Sequence, residues 1–244
     1  MRLLLCLLLL PILGFVSSSA PTFRLEQNRY PRVRTAYANS WPRLLADLQR
    51  LKLQPERLEL YLRAFKVGRR LEVWARNQGE GRFQLLRNYY IAGTSGTLGP
   101  KRRSGDGQVP EGFYFVDRFN PQSLYHLSLG LDYPNAADLA HTAPNPGGDI
   151  FIHGSDVTIG CLPITDALME ELYVLAVEAR AAGQAELPVH IFPFELTEAA
   201  LQTRRSSPHY AFWQSLAPAY RYFEATRTVP GVEVDARGGY HVRP

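Results

Sequence analysis

The stretch Ile150-Phe151-Ile152-His153-Gly154-Ser155-Asp156-Val157-Thr158-Ile159-Gly160-Cys161 organises the rest of this chain of 244 residues. Its first three residues are apolar, as expected of a short buried strand that ends at the histidine. The segment 166–182 repeats apolar side chains at helical spacing, and Thr165 or Asp166 is suited to cap that helix. Cys161 is therefore predicted to lie on a loop between a strand and a helix.

The histidine and the cysteine of this stretch form a candidate nucleophile and its base. A free thiol has a pKa of roughly 8.5, and a nearby imidazole can take its proton and form an ion pair. Backbone N–H groups at Gly160 and Cys161 are candidates for an oxyanion hole, and Gly154 or Ser155 for orienting His153. The alternative is structural, because single cysteines are often small buried hydrophobic residues.

The amino terminus has the organisation of a secretory signal peptide. Met1-Arg2 precedes an apolar segment, and Ser17-Ser18-Ser19-Ala20 offers small residues for cleavage, which is expected after Ser19. The apolar run falls short of the roughly 20 residues that span a bilayer. The mature protein is therefore expected to have no transmembrane span, with an uncleaved anchor as the alternative.

Cleavage at that point would remove Cys6 and leave Cys161 as the single cysteine of a periplasmic protein. A leftover thiol in an oxidising compartment is a liability unless it is buried or used. Export, and the glycine beside each of His153 and Cys161, together favour the catalytic interpretation of Cys161.

Composition excludes several other classes of protein. Hydrophobic residues make up 45% and charged residues 20% of the chain, which is typical of a folded domain. The formal net charge of +4 is concentrated near the amino terminus, where it indicates either a solvated surface or weak attraction to an anionic wall polymer. Nucleic acid is not expected as a partner of an exported protein. Neither a metal nor a cofactor is expected, because the sequence has no metal-ligand spacing and no phosphate-loop ending.

Hydrophobic patterns predict the secondary structure around the motif. Ser40 is expected to cap a helix that has Pro42 in its first turn. Strands are predicted over residues 58–65, 70–76, 83–92, 125–129 and 188–194, and further helices over residues 197–203 and 210–226. His190, within the last strand, is interpreted as structural.

The motifs resemble those of the L,D-transpeptidase catalytic domain family of the YkuD type. The signature consists of His153-Gly154 followed by Thr158-x-Gly160-Cys161. The usual signature has a second histidine where this chain has Ile159, and that departure matches the YafK-like branch of the family. Further matches to the branch are Phe65-Lys66, Leu71-Glu72-x-Trp74, Ser95-Gly96-Thr97-Leu98-Gly99-Pro100-Lys101, Pro110-Glu111-Gly112-Phe113-Tyr114, His126-Leu127-Ser128, Tyr133-Pro134-Asn135 and His209-Tyr210-Ala211-Phe212-Trp213-x-x-Leu216.

The resemblance implies an α+β fold with a β-rich catalytic core, an N-terminal helix and a C-terminal helical cap. The expected organisation is a signal peptide over 1–19, a basic helical segment over 20–57, a catalytic domain over 58–195 and a helical extension over 196–244. Four further residues are candidates for binding substrate. His126, Lys66 and Lys101 each have a structural alternative, and Gly112 is expected to permit backbone approach to substrate.

The resemblance also implies a reaction on peptidoglycan. Cys161 is expected to attack a carbonyl joined to meso-diaminopimelate and form a thioacyl enzyme, with His153 as proton acceptor and donor. An amine acceptor would make the protein a transpeptidase, and water would make it an amidase that could release a covalently attached lipoprotein. A non-catalytic wall-binding protein or a generic thiol protease would also be compatible with an exported chain of this kind. The oligomeric state is left open.

Overall fold

A computed structural model describes residues 21–142 and 144–243 of the chain. The predicted signal peptide lies outside the described residues. The described chain is a mixed α+β structure with eight main strands: β1 (Leu58–Phe65), β2 (Arg70–Asn77), β3 (Gln84–Tyr90), β4 (Gly112–Asn120), β5 (Ser128–Leu131), β6 (Phe151–His153), β7 (Leu162–Pro163) and β8 (Pro188–Phe192). They form one curled sheet with the strand order β3-β2-β1-β8-β4-β5-β6-β7.

Helices cover both faces of the sheet. One face packs on α4 (Asp166–Ala181), with α1 (Pro21–Gln27) and α2 (Pro31–Arg50) outside it. The other face packs on a C-terminal unit made of α5 (Glu198–Gln202), α6 (Tyr210–Thr226) and the hairpin β9–β10, whose strands are Gly231–Val234 and Tyr240–Arg243. A short helix, α3 (Ala136–His141), follows β5. Of the helices in the described chain, none is long and apolar enough to cross a membrane.

Strand β1 shows why the central strands contain almost uninterrupted apolar sequence. Leu60 and Leu62 belong to the core cluster beneath α4, whereas Tyr61 and Phe65 pack on the opposite face with aromatic residues of α6. A strand covered on both faces has no side that favours polar residues. The strand has two charged residues: Glu59, which is half-buried and pairs with Arg76 of β2, and Arg63, which is buried on the α6 face.

The prediction that Ser40 starts a helix is wrong. Helix α2 begins at Pro31, a proline at its first position, and continues through Ser40 and Pro42. Ser40 is buried, and its hydroxyl donates to the carbonyl of Ala36 one turn earlier. The serine therefore lies on the packed face of a longer helix, where it satisfies its own donor instead of capping a helix end.

Other regions also differ from the sequence prediction, two of them near the site and at the C-terminus. The strand predicted over residues 125–129 begins only at Ser128, because Tyr125 and His126 form a bend in which His126 has φ of 69°. The hairpin β9–β10 was not predicted, and it adds two strands to a C-terminal region expected to be helical. Its Tyr240 packs edge-on against Phe113 of the central sheet.

The sheet curls until its two edge strands meet. Strand β3 forms one edge and β7 the other, and the backbone N–H of Ala92, just beyond β3, donates to the carbonyl of Pro163 in β7 over 2.7 Å. We call this junction the seam. Because Cys161 immediately precedes β7, the seam determines which groups surround the sulfur.

Buried ion pairing between the sheet and α6 leads to the first prediction. Arg63 is 2% exposed, donates to Glu72 of β2 over 2.9 and 2.6 Å, and reaches Glu224 of α6 at 2.7 Å. Arg63→Met leaves the buried Glu72 carboxylate without its main partner, so the free energy of unfolding should fall by about 3–5 kcal/mol. Urea denaturation measures it.

Arg50→Met is the matched control, because the Arg50–Asp47 pair is exposed on its arginine side. It should change the free energy of unfolding by about 0–1 kcal/mol. Equal stability of the two variants would show that the Arg63 network does not hold the sheet to α6.

Candidate active site

Parallel pairing of β6 with β7 brings the candidate nucleophile beside the candidate base. The register aligns Ile152 with Leu162 and His153 with Pro163. Cys161 is therefore level with Phe151, two residues from the level of His153. Two strand residues span about 6.6 Å and neighbouring strands lie about 4.8 Å apart, so the α-carbons of Cys161 and His153 are roughly 8 Å apart.

The loop between β6 and β7 is organised by one hydroxyl group. The oxygen of Thr158 accepts hydrogen bonds from the N–H groups of Gly160 (3.1 Å) and Cys161 (2.7 Å) and donates to the carbonyl of Cys161 at 2.9 Å. Gly160 has φ of 138°, a conformation that favours glycine. The two N–H groups considered for an oxyanion hole are thus engaged by Thr158 in this structure.

His153 is buried and has a defined orientation. Its Nδ1 lies 2.5 Å from the carbonyl of Gly154, so this nitrogen carries the proton and donates, which leaves Nε2 as the basic nitrogen. The ring of Tyr125 covers the imidazole with a centroid separation of 4.7 Å and an angle of 36°. Gly154 thus contacts His153 through its carbonyl, in the manner of an orienting group.

Asp166, at the start of α4, fixes the backbone beyond His153. Its carboxylate accepts from the N–H of Ser155 over 2.8 Å, and the N–H of Gly154 donates to the carbonyl of Tyr125 at 3.1 Å. A Cβ at position 154 would lie 2.4 Å from the Asp166 carboxylate, so only glycine fits. Ser155 acts here through its backbone, at φ of 64°. Thr165 is the N-cap residue of α4, but its side chain makes no capping hydrogen bond.

A cleft of about 300 Å³ opens at the seam, with Cys161 and Leu162 in its wall. The β1–β2 turn contributes Lys66, Val67 and Arg69, and the segment after β3 contributes residues 93–98. Cys161 is half-buried and forms part of this cleft wall. His153 is not among the residues that line this cleft.

The two candidate lysines form ion pairs with carboxylates. Nζ of Lys66 lies 2.9 Å from Glu111, which is fully buried and also accepts from the indole of Trp213 at 2.8 Å. Nζ of Lys101 lies 2.6 Å from Asp106. Burial lowers the pKa of Lys66. Both lysines are thus engaged structurally, although Lys66 also lines the cleft.

His126 and Gly112 have structural partners as well. Nε2 of His126 lies 2.9 Å from Glu170 of α4, and His126 is absent from the cleft lining. Gly112, at φ of 150°, leaves room for the hydroxyls of Tyr240 and Tyr114, which would lie 2.7 and 3.0 Å from a Cβ there. The glycine therefore accommodates two tyrosine hydroxyls, and its contact with substrate stays a prediction.

Sequence reasoning did not identify two residues at this site. Tyr125 covers His153, and Arg69 lines the cleft. Tyr125 adjoins a histidine that the sequence analysis did consider, so proximity in sequence was a usable signal. Nothing local distinguishes Arg69 from its neighbour Arg70.

The pKa shifts favour an uncharged resting pair. Burial raises the pKa of the Cys161 thiol, opposed by a hydrogen bond from the Phe151 backbone, and burial lowers the pKa of His153. The thiol donates to the carbonyl of Asp149 at 3.6 Å, and no hydrogen bond of the described residues joins it to His153. The resting state is thus a thiol beside a neutral imidazole, in contrast to the ion pair expected from the sequence. His, Cys, Asp and Glu residues within 21–142 and 144–243 form no group of three that could hold a metal.

The Thr158 hydroxyl gives a prediction about loop stability. Thr158→Val keeps the branched shape but removes three hydrogen bonds, so the free energy of unfolding should fall by about 1–3 kcal/mol. Thr158→Ser keeps the hydroxyl and should stay close to wild type. Chemical denaturation of both variants measures the difference, and equal destabilisation by the two would contradict this role.

The uncharged pair predicts the pH dependence of thiol alkylation. Because the thiol pKa is raised, the thiolate fraction grows with pH throughout the neutral range, and the iodoacetamide rate should rise about tenfold per pH unit from about pH 6 to 8. Stopped-time mass spectrometry of the Cys161 peptide measures the rate. A plateau reached below about pH 7 would instead indicate a preformed ion pair.

The comparisons with known proteins identify the family. Residues 61–191, more than half of the chain, match the family model described as YkuD, L,D-transpeptidase catalytic domain. A relative from Escherichia coli strain K12, YafK, described as a candidate L,D-transpeptidase, is 40% identical over 177 residues, covering 72% of this chain and 70% of its own length.

Solved structures of similar fold include the helical cell shape determining protein Pgp2 from Campylobacter jejuni. It is 18% identical, the match covers 73% of each chain, and the TM-score is 0.45. Bd1075 of Bdellovibrio bacteriovorus is 24% identical over 66% of this chain and 58% of its own, with a TM-score of 0.41. Both scores are below 0.5, so the assignment rests on the sequence matches. The chain belongs to the L,D-transpeptidase catalytic domain family of the YkuD type.

Proposed function

We propose that this protein is an exported, periplasmic acyltransferase that acts on peptidoglycan stem peptides through a thioacyl intermediate on Cys161. The observation that carries the proposal is that Cys161 lines the seam cleft, while the strand paired with β7 ends in an oriented, neutral histidine. A neutral imidazole with a basic Nε2 is the form required of a general base.

The reaction follows from these two groups. The thiol attacks a carbonyl joined to meso-diaminopimelate while its proton passes to Nε2 of His153, and the C–S bond forms. The tetrahedral intermediate collapses by breaking the C–N bond, and His153 returns the proton to the leaving amine. An incoming amine or water then attacks the thioester and releases the acyl group.

Two movements complete this proposal. The Cys161 side chain must turn from the Asp149 carbonyl toward the imidazole. Thr158 must release the N–H of Gly160 or Cys161 before that group can stabilise an oxyanion, because both now donate to its hydroxyl. Substrate that fills the cleft supplies the contacts for both changes.

Incubation with muropeptides and lipoprotein-loaded sacculi, followed by mass spectrometry, tests the function. Cys161→Ala should reduce product formation by at least about 10³-fold, and His153→Gln by about 10²–10⁴-fold. His241→Gln, in the exposed hairpin, is the matched control and should retain full activity. New crosslinks would establish transfer, whereas released lipoprotein would establish hydrolysis.

The wall-binding alternative makes the opposite prediction. A carbapenem should add its mass to the wild-type protein at Cys161 and add nothing to Cys161→Ala. Binding to sacculi without product and without that adduct would overturn the enzymatic proposal.

A further inference from the structure

The seam cleft contains one positive charge that the described residues leave unbalanced. Lys66 in the same wall is paired with Glu111. Arg69 also lines the cleft, but it forms no ion pair with any carboxylate of residues 21–142 and 144–243. We propose that Arg69 is an anion subsite that receives a carboxylate of the acyl donor, a feature that deepens the proposed function and rests on it.

The Arg69 guanidinium is held in place by the seam. Its Nε donates to the carbonyl of Ile91 at 2.8 Å, and its Nη2 donates to the carbonyl of Ala92. It also lies 4.5 Å from the centroid of the Tyr90 ring. These contacts orient the guanidinium without neutralising it, because backbone carbonyls and an aromatic ring carry no net charge. Nη1 makes no hydrogen bond within the described chain and remains available to a ligand.

The backbone conformation and hydrogen bonding of Arg69 fix its place in the β1–β2 turn. Arg69 has φ of 49°, a left-handed conformation that is uncommon for residues other than glycine, and it follows Gly68 in the β1–β2 turn. Its backbone carbonyl accepts from the N–H of Ile91 at 2.8 Å. Both backbone and side chain of Arg69 thus bind the segment that leads into the cleft.

A second group in the cleft lacks a partner. The hydroxyl oxygen of Ser95 is buried and makes no hydrogen bond within the described chain, although Ser95 lines the same cleft. Buried polar groups are normally satisfied, and rotation of the Ser95 side chain toward the cleft would let its hydroxyl donate to a ligand. An arginine N–H and a serine hydroxyl are both donors, and a carboxylate accepts from both.

The rest of the lining favours an organic acid over a small inorganic ion. Val67, Ile91, Leu98, Val109 and Leu162 make much of the wall apolar. An aliphatic side chain that ends in a carboxylate would fit such a wall with its charge on Arg69. The Cys161 sulfur, in the same wall, would then face the acyl carbon of that molecule.

Competing alkylation of Cys161 tests the subsite without any enzymatic turnover. Iodoacetate and iodoacetamide form the same C–S bond and release iodide, but only iodoacetate carries a carboxylate. The rate constant for iodoacetate divided by that for iodoacetamide should fall about 3- to 10-fold in Arg69→Met relative to wild type. The reason is that the guanidinium no longer attracts the carboxylate of iodoacetate. Arg205→Met, an exposed arginine outside the cleft, should leave the ratio unchanged.

Two further measurements distinguish loss of the Arg69 charge from misfolding of the Arg69→Met variant. Arg69→Lys keeps the charge and should retain part of the preference for iodoacetate. In the wild-type protein, the ratio should fall as ionic strength rises from about 0.02 to 0.5 M. An unchanged ratio in Arg69→Met, or a ratio in wild type that is independent of salt, would overturn the subsite.

A substrate arm separates failure of the subsite from failure of the proposed function. Two stem peptides are compared, one with a free carboxylate and one in which that carboxylate is amidated. Arg69→Met should raise KM for the first peptide about tenfold or more and leave KM for the amidated peptide unchanged. Equal effects on both peptides would overturn the subsite while leaving the acyl transfer intact. If neither peptide reacts with wild type, the proposed function fails, and the alkylation ratio still decides the subsite.

Discussion

The hydrogen bond from Ala92 N–H to the Pro163 carbonyl joins the two edges of the curled sheet, and the candidate site depends on that junction. Cys161 lies on one side of the seam and the cleft-forming segment 93–98 on the other. A Cβ at Gly93 would lie 2.1 Å from the carbonyl of Asp156, so the two sides are in close contact. The seam therefore places Cys161 in the cleft wall and narrows the space around it.

The resting site is held in an uncharged state. Burial favours the thiol form of Cys161 and the neutral form of His153, and the Thr158 hydroxyl engages the N–H groups beside the sulfur. A neutral thiol is less easily oxidised than a thiolate, which suits a protein proposed to work in an oxidising compartment. In this account, Cys161 becomes reactive only when substrate binds, because the thiol proton then passes to His153 as the sulfur attacks the substrate.

Local pattern was sufficient for the strand that ends at His153 and for the helix after Cys161, since both follow apolar periodicity. Local pattern was insufficient where the role of a residue depends on a partner distant in sequence. Ser40 looked like a helix cap because its packing on the α4 side of a longer helix is not visible locally. Lys66 looked available until its partner, forty-five residues further along the chain, proved to be Glu111. The side chain of Arg69 is held by the Ile91 carbonyl beside the seam, a contact that its local sequence does not reveal.

The central claim is that the Cys161 sulfur carries the acyl group during turnover. Rapid acid quenching of the protein during reaction with an acyl-donor stem peptide, followed by digestion and mass spectrometry, tests it directly. The account predicts that the peptide containing Cys161 gains the mass of the donor less its leaving amine, and that hydroxylamine removes the adduct, as expected of a thioester. Turnover with an adduct on another residue, or with an unmodified Cys161 peptide under single-turnover conditions, would contradict it.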